Sequence, residues 1–159
     1  MPNWCYNTIT INHSNPEMMN KFKDIVNDDT GLLQSFIPCP EELLDDEQQE
    51  NHNIETYGYK TWYDWRIANW GVKWDITLEY PTENDDGSIT VSFDSAWNPP
   101  IKAYEKLQEL GFSIVAYYAE PGMRFAGKWD NGDDEYYNDA KDASQELQDM
   151  FDIPSWDDE

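Results

Sequence analysis

An α+β domain built on an antiparallel sheet is the fold class this sequence predicts, from three observations. Short β-branched stretches alternate apolar and polar residues, as over 5–12 and 88–94. Between the strands lie two stretches with apolar residues at helical spacing, each opened by a proline and closed by a glycine. At 159 residues the chain suits one domain with a sizeable core and at most one appendage.

Residues 5–12 predict the first strand, with Asn7, Ile9 and Ile11 on one face. Ser14 or Asn15 then offers a cap and Pro16 the first helical position. Met18, Met19, Phe22, Ile25 and Val26 give residues 16–27 the stripe of an amphipathic helix, ended near Gly31. Residues 28–60 lose periodicity. Pro38-Cys39-Pro40 rules out a regular helix or central strand there, and the acidic run 41–50 has only Leu43 and Leu44 to anchor it. An insertion with one short helical turn is expected, followed by a short helix over 62–70 closed by Gly71.

Residues 74–80 alternate, with Trp74, Ile76, Leu78 and Tyr80 facing one way. Residues 81–87 supply a turn, and 88–94 alternate again through Ile89, Val91 and Phe93, so the pair predicts a hairpin. Asn98 is the expected cap of the next helix, Pro99 its first turn and Gly111 its stop. Its stripe is Ile101, Tyr104, Leu107 and Leu110. Residues 112–119 predict a fourth strand with Phe112, Ile114, Ala116 and Tyr118 inward. The order is β-α-(insertion)-β-β-α-β with both helices on one sheet face, a ferredoxin-like split βαβ. The expected organisation is a domain over 1–129, with the insertion at 28–72, and an acidic C-terminal extension over 130–159. Residues 123–129 are a candidate extra strand, which Asn131-Gly132 turns towards Glu135-Tyr136-Tyr137. A last helix is expected over 139–151, with Ala140, Ala143, Leu147 and Met150 on its apolar stripe.

Charge sets the first limit on function. There are 33 acidic and 10 basic residues, a formal net charge of −23. Direct nucleic-acid binding needs Lys and Arg to neutralise phosphates, and an anionic membrane surface needs the same. Both are disfavoured. A basic protein partner, such as one that grips nucleic acid, is favoured by long-range steering. No apolar run approaches the roughly 18–20 residues of a membrane span, and no signal peptide is visible. Cys5 and Cys39, without CxxC spacing, fit reduced thiols, so a cytoplasmic location is expected.

The sharpest local feature is residues 62–75, which hold four of the eight tryptophans. Trp62, Trp65, Trp70 and Trp74, with Trp97 further on, can form a cage for a base, a methylated cation or a sugar. Asp64, Arg66, Asn69 and Lys73 would then hold its polar groups. The competing expectation is a core in which the indoles pack on the sheet and Asp64, Arg66 and Asp75 pair with one another. Asp64, Asp75, Glu79 and Asp94 offer carboxylates without a diagnostic spacing, and His13 and His52 are solitary. There is no GxSxG, P-loop or GxGxxG. No catalytic residue, metal or cofactor is expected.

The second feature is the C-terminal segment, where residues 130–159 carry twelve acids and one base, Lys141. On a continuous helix Asp139, Asp142, Glu146 and Asp149 would stand about 4.5–6 Å apart along the axis. That approaches the phosphate spacing of about 3.4 Å per strand in B-DNA. With Asp130, Asp133, Asp134 and Glu135 this row is the candidate partner-binding surface.

Several motifs are similar to those of a known family. They are Asn3-Trp4-Cys5-Tyr6-Asn7, Pro38 with Pro40, residues 62–75, and Phe93-Asp94-Ser95-Ala96-Trp97-Asn98-Pro99-Pro100. Glu120-Pro121-Gly122 and Phe125-Ala126-Gly127 complete the set. Together they resemble the YubB-type ferredoxin-like domain family, whose members are largely uncharacterised proteins of plasmids, phages and bacteria. The resemblance spans residues 3–129 and leaves the acidic segment outside. It implies the fold, a mobile-element origin and a host bacterial cytoplasm, and it brings no reaction and no catalytic residues. The function expected is therefore a non-enzymatic acidic phage or plasmid protein. It would bind and inhibit a basic, nucleic-acid-handling host defence protein by imitating DNA. A nucleotide-like ligand in the tryptophan-rich stretch is the alternative.

Overall fold

A computed structural model describes residues 3–28, 31–44 and 50–157. Its centre is β1 (Trp4–Asn12), which buries Cys5, Asn7, Ile9 and Ile11 and turns the residues between them to the other face. β1 pairs antiparallel with β3 (Ile89–Ala96) on one side and β4 (Ser113–Glu120) on the other. β2 (Glu79–Glu83) lies outside β3, while β5 (Phe125–Asp130) and β6 (Asp133–Tyr137) extend the sheet beyond β4. The six-stranded order is β2-β3-β1-β4-β5-β6. Its first four strands are the split βαβ arrangement expected from the sequence.

One face of the sheet carries α1 (Pro16–Asp28) and α5 (Ile101–Glu109). Met19, Phe22 and Ile25 of α1 and Ala103, Tyr104 and Leu107 of α5 share a core with Ile9, Ile11, Val91, Phe93, Ile114 and Ala116. Each large side chain buried here contributes about 1.5–3 kcal/mol, which is why helical spacing and strand alternation agree on this face. On the opposite face hydroxyls pair across the central strands, Thr8 with Ser92 at 3.2 Å and Thr10 with Thr90 at 2.9 Å.

Four local expectations change. The insertion holds more helix than one turn: α2 (Leu32–Phe36), a 3-10 turn at Glu41–Leu44 and α3 (Glu50–Tyr57). The start of α2 is capped from far along the chain, for Asp75 accepts from the backbone N–H of Leu33 at 2.8 Å and Gln34 at 3.0 Å. Such a cap leaves no signal within the segment it stabilises. Part of the predicted acidic run, 45–49, lies outside the described residues.

The strand expected over 74–80 starts later, at Glu79, and runs through Pro81 with a bulge between Glu79 and Thr82. An outermost strand tolerates proline because one side of its backbone needs no ladder partner. Ile76 and Leu78 are buried as expected, whereas Trp74 and Tyr80 are exposed, Tyr80 at φ +54°. Asn98 does not cap α5. Its carbonyl instead accepts the Ser95 hydroxyl at 2.6 Å, and the helix begins after Pro100 without a side-chain cap.

Residues 139–151 are not one helix. A 3-10 turn at Ala140–Asp142 gives way to extended Ala143, and Ser144 caps the short α6 (Gln145–Met150). Ala140, Leu147 and Ile153 pack instead on Ala119 and Ala126, covering the second face of the sheet over β4 and β5. Burial of small apolar residues on a flat sheet face outweighed helical continuity. The negative row at helical spacing is thereby broken into separate pieces.

Candidate functional site

The tryptophan-rich stretch forms α4 (Trp62–Asn69), whose first turn is capped by Thr61 and whose end is set by Gly71 at φ +85°. Trp70, the residue after the helix, is fully buried and donates its indole N–H to the Ile37 carbonyl at 2.8 Å. Trp62 and Trp65 are half-buried against the same core. Arg66 lies between rings, its guanidinium 5.0 Å from the Trp62 centroid and 4.7 Å from that of Trp70. It also donates to the Lys73 carbonyl at 3.1 Å. Asn69 donates to the Trp65 carbonyl at 2.9 Å, and Asp64 is exposed in the first turn. Asp75 serves α2 rather than Arg66. Arg66 is held by aromatic faces and a carbonyl, a partly desolvated cation–π arrangement.

The predicted pocket residues therefore divide. Trp62, Trp65, Arg66, Asn69 and Trp70 belong to the packed side of α4. Lys73, Trp74 and Trp97 face outwards, with the Lys73 ammonium 4.3 Å from the Trp74 ring and Trp74 itself 6.0 Å from Trp4. Trp97 sits at φ +70°, a conformation that costs a bulky residue of order 1–3 kcal/mol. It lines a small hollow of about 220 Å³ with Tyr63, Ile67 and Lys73.

Arg66 also reaches the neighbourhood of Cys39, a proximity the sequence hid. Burial pushes the Cys39 thiol up and the nearby guanidinium only partly offsets it, so the thiol stays protonated.

A larger groove, about 420 Å³, opens where β5 and β6 extend the sheet past the start of α5. Its floor depends on one glycine. A Cβ on Gly127 would fall within 2.2 Å of the Tyr118 hydroxyl, so only a bare backbone lets the phenol from β4 lie across β5. Tyr118 thereby reaches β6 and donates to Asp134 Oδ1 at 2.7 Å. Burial first, and then the Asp134 carboxylate, raise the Tyr118 phenol above the usual tyrosine range, so it remains a donor at neutral pH. Phe125 packs beside Tyr118 at 6.2 Å and beside Tyr136 at 5.7 Å between ring centroids. Tyr136 is 53% exposed and forms the open wall. Lys102 and Asn98 line the other side.

The predicted acidic surface is brought together by the sheet rather than by a helix. Asp130, Asp133, Asp134 and Glu135 are exposed around the β5–β6 turn and along the outermost strand. Asp139, where it caps the 3-10 turn, and Asp142, Glu146 and Asp149 are exposed on the segment that crosses the second face. None of these eight acids is in an ion pair among the described residues. Two of the bases nearby pair elsewhere, while the third, Lys128, has its ammonium raised first by Tyr117 and then by Glu146 and Asp130. Arg124 pairs with Asp157 at 2.7 Å, Lys141 stands 3.9 Å from the same carboxylate, and Lys128 lies over the Tyr117 ring.

Sequence reasoning missed Tyr118, Gly127 and Tyr136 as one site, although Phe125-Ala126-Gly127 stood among the family-like motifs. It also missed Glu120, which is buried and accepts from the N–H groups of Gly122 and Met123, shaping the turn into β5.

Comparison with known proteins agrees with this fold. The crystal structure of a protein Api92 from Yersinia pseudotuberculosis superposes with a TM-score of 0.52, over 86% of this chain and 98% of that one. At 12% identity the likeness is one of fold. No curated protein matches. A family model described as "Ferredoxin-like domain in Api92-like protein" matches residues 73–156, a span that includes β6, the segment on the second face and the groove apart from Ile67 and Gly71. The chain belongs to this Api92-like ferredoxin-like domain family.

Proposed function

We propose that this chain is a non-enzymatic binding protein whose β6 edge and C-terminal segment engage a basic surface on a protein that handles nucleic acid. In its specific form the target is a host defence protein, inhibited because the acids occupy the groove meant for DNA. The YubB-like motifs and their phage or plasmid setting, with a cytoplasmic site of action, are part of this reading. One observation carries it: the eight acids of the predicted surface are all exposed, on the outer sheet edge and on the segment packed against the sheet, and none is in an ion pair among the described residues. Fixed charges lose less entropy on binding than charges on a flexible tail, and they steer a basic partner from a distance. The row is interrupted, so any likeness to DNA rests on a patch of charge rather than on a phosphate-like spacing.

The test is capture from host lysate by the full chain and by a variant with Glu146→Gln, Asp149→Asn and Asp142→Asn. Recovery of a nucleic-acid-handling protein by the parent alone, and its loss at high salt, is the expected result. Capture unaffected by either change would move the site elsewhere. The strained backbone of Trp97 beside Lys73 favours a second reading, a small nucleotide-like ligand in that hollow. Nucleotide quenching of tryptophan fluorescence, abolished in Trp97→Ala, would support it.

A further inference from the structure

The groove at the β5–β6 edge has a composition that a general acidic surface does not need. It combines two aromatic faces, Phe125 and Tyr136, with a carboxylate held in place by a buried phenol. The volume of about 420 Å³ is within the range of specific binding sites. We infer that this groove is a socket for one arginine side chain of the basic partner, stacked on Tyr136 and bonded to Asp134. The inference rests on the acidic-surface reading and adds to it the residue that the partner must supply.

Three observations favour a guanidinium. Tyr118 occupies Asp134 Oδ1, fixing the carboxylate and leaving its second oxygen to accept from a planar N–H donor. The open ring of Tyr136 suits a flat, weakly hydrated cation better than a compact ammonium. The chain already holds one arginine in this manner, for Arg66 lies between Trp62 and Trp70. Lys102 on the far wall is the feature that would attract an anion. Its ammonium stands 3.8 Å from Glu105, and the formal charge of −23 opposes the approach of a free anion.

The experiment titrates the full chain with capped hexa-arginine and hexa-lysine peptides by calorimetry, at low and high salt. Hexa-arginine should bind about fivefold or more tightly than hexa-lysine, the size expected of a partly desolvated cation–π contact. Tyr136→Ala should remove that preference and leave hexa-lysine unchanged. Asp134→Asn, which keeps an acceptor for Tyr118, should weaken hexa-arginine more than hexa-lysine. Equal affinities, or a preference that survives Tyr136→Ala, would overturn the socket while the acidic surface stood. Binding of neither peptide at low salt would overturn both. Adenosine monophosphate bound by the parent and lost in Lys102→Ala would make the groove an anion site and overturn the inference.

Discussion

The two aromatic and charged regions of this domain use similar chemistry in opposite directions. Around α4, tryptophan and arginine face the helical layer, where Trp70 is sealed and Arg66 lies between two rings, donates to a carbonyl and keeps its Nε buried without a partner among the described residues. Around β6, tyrosine and aspartate face outwards, and Tyr136 and Asp134 keep surface and acceptor capacity free. What separates them is position. α4 is laid against a core already closed by the sheet, whereas β6 is the outermost strand of a sheet longer than its helical cover. A mixture of rings and charges is thus a structural network where the topology packs it against the core and an open surface where it does not.

Substitutions can break or sharpen this contrast. The largest effect should come from Trp70→Ala, which empties a fully buried site and orphans the Ile37 carbonyl. A loss of about 3–5 kcal/mol is expected in urea or guanidinium unfolding. If Trp70→Ala cost no more than Tyr136→Ala, the distinction between the two regions would collapse. Next in size is Gly127→Ala. The added methyl collides with the Tyr118 ring and with the Glu135 carbonyl at 2.8 Å, so about 1–3 kcal/mol should be lost. The arginine preference of the groove should fall with it, because the phenol is displaced from Asp134. Asp75→Ala should cost about 1 kcal/mol through the start of α2 and leave both peptides' binding unchanged.

The sequence made the four-strand, two-helix core legible because strand alternation and helical spacing coincide with burial there. Ile9, Ile11, Phe22, Val91, Phe93, Tyr104, Leu107, Ile114 and Ala116 all fall where their periodicity put them. It failed where distant groups decide. Asp75 caps a helix far back in the chain, 42 residues separating it from Leu33, and Pro81 is carried by an outer strand with a bulge. The continuous helix over 139–151 was predicted from spacing alone, but docking of Ala140 and Leu147 on Ala119 and Ala126 set the backbone instead. At the candidate site the acids were legible as composition. The groove was not, since it depends on Gly127 letting a side chain from β4 reach β6.

The smallest effect tests charge that neither region uses. Asp94 on β3 has its carboxyl raised from the ordinary aspartate range, first by desolvation and then by Glu79 across the outer strand pair. A carboxylate whose folded value is raised contributes stability at low pH, where it is protonated, and that contribution is lost as pH rises through the folded value. Above that point the ionised Asp94 costs the folded state, since in the unfolded chain it ionises without Glu79 nearby. Asp94→Asn removes this cost. Its side chain is exposed, so screening keeps the gain to a few tenths of a kcal/mol, about 1 °C in melting temperature. The variant should melt above the parent at pH 7, with the difference closing towards pH 3. A gain that persisted undiminished at pH 3 would assign the effect to packing on the open sheet face rather than to repulsion from Glu79.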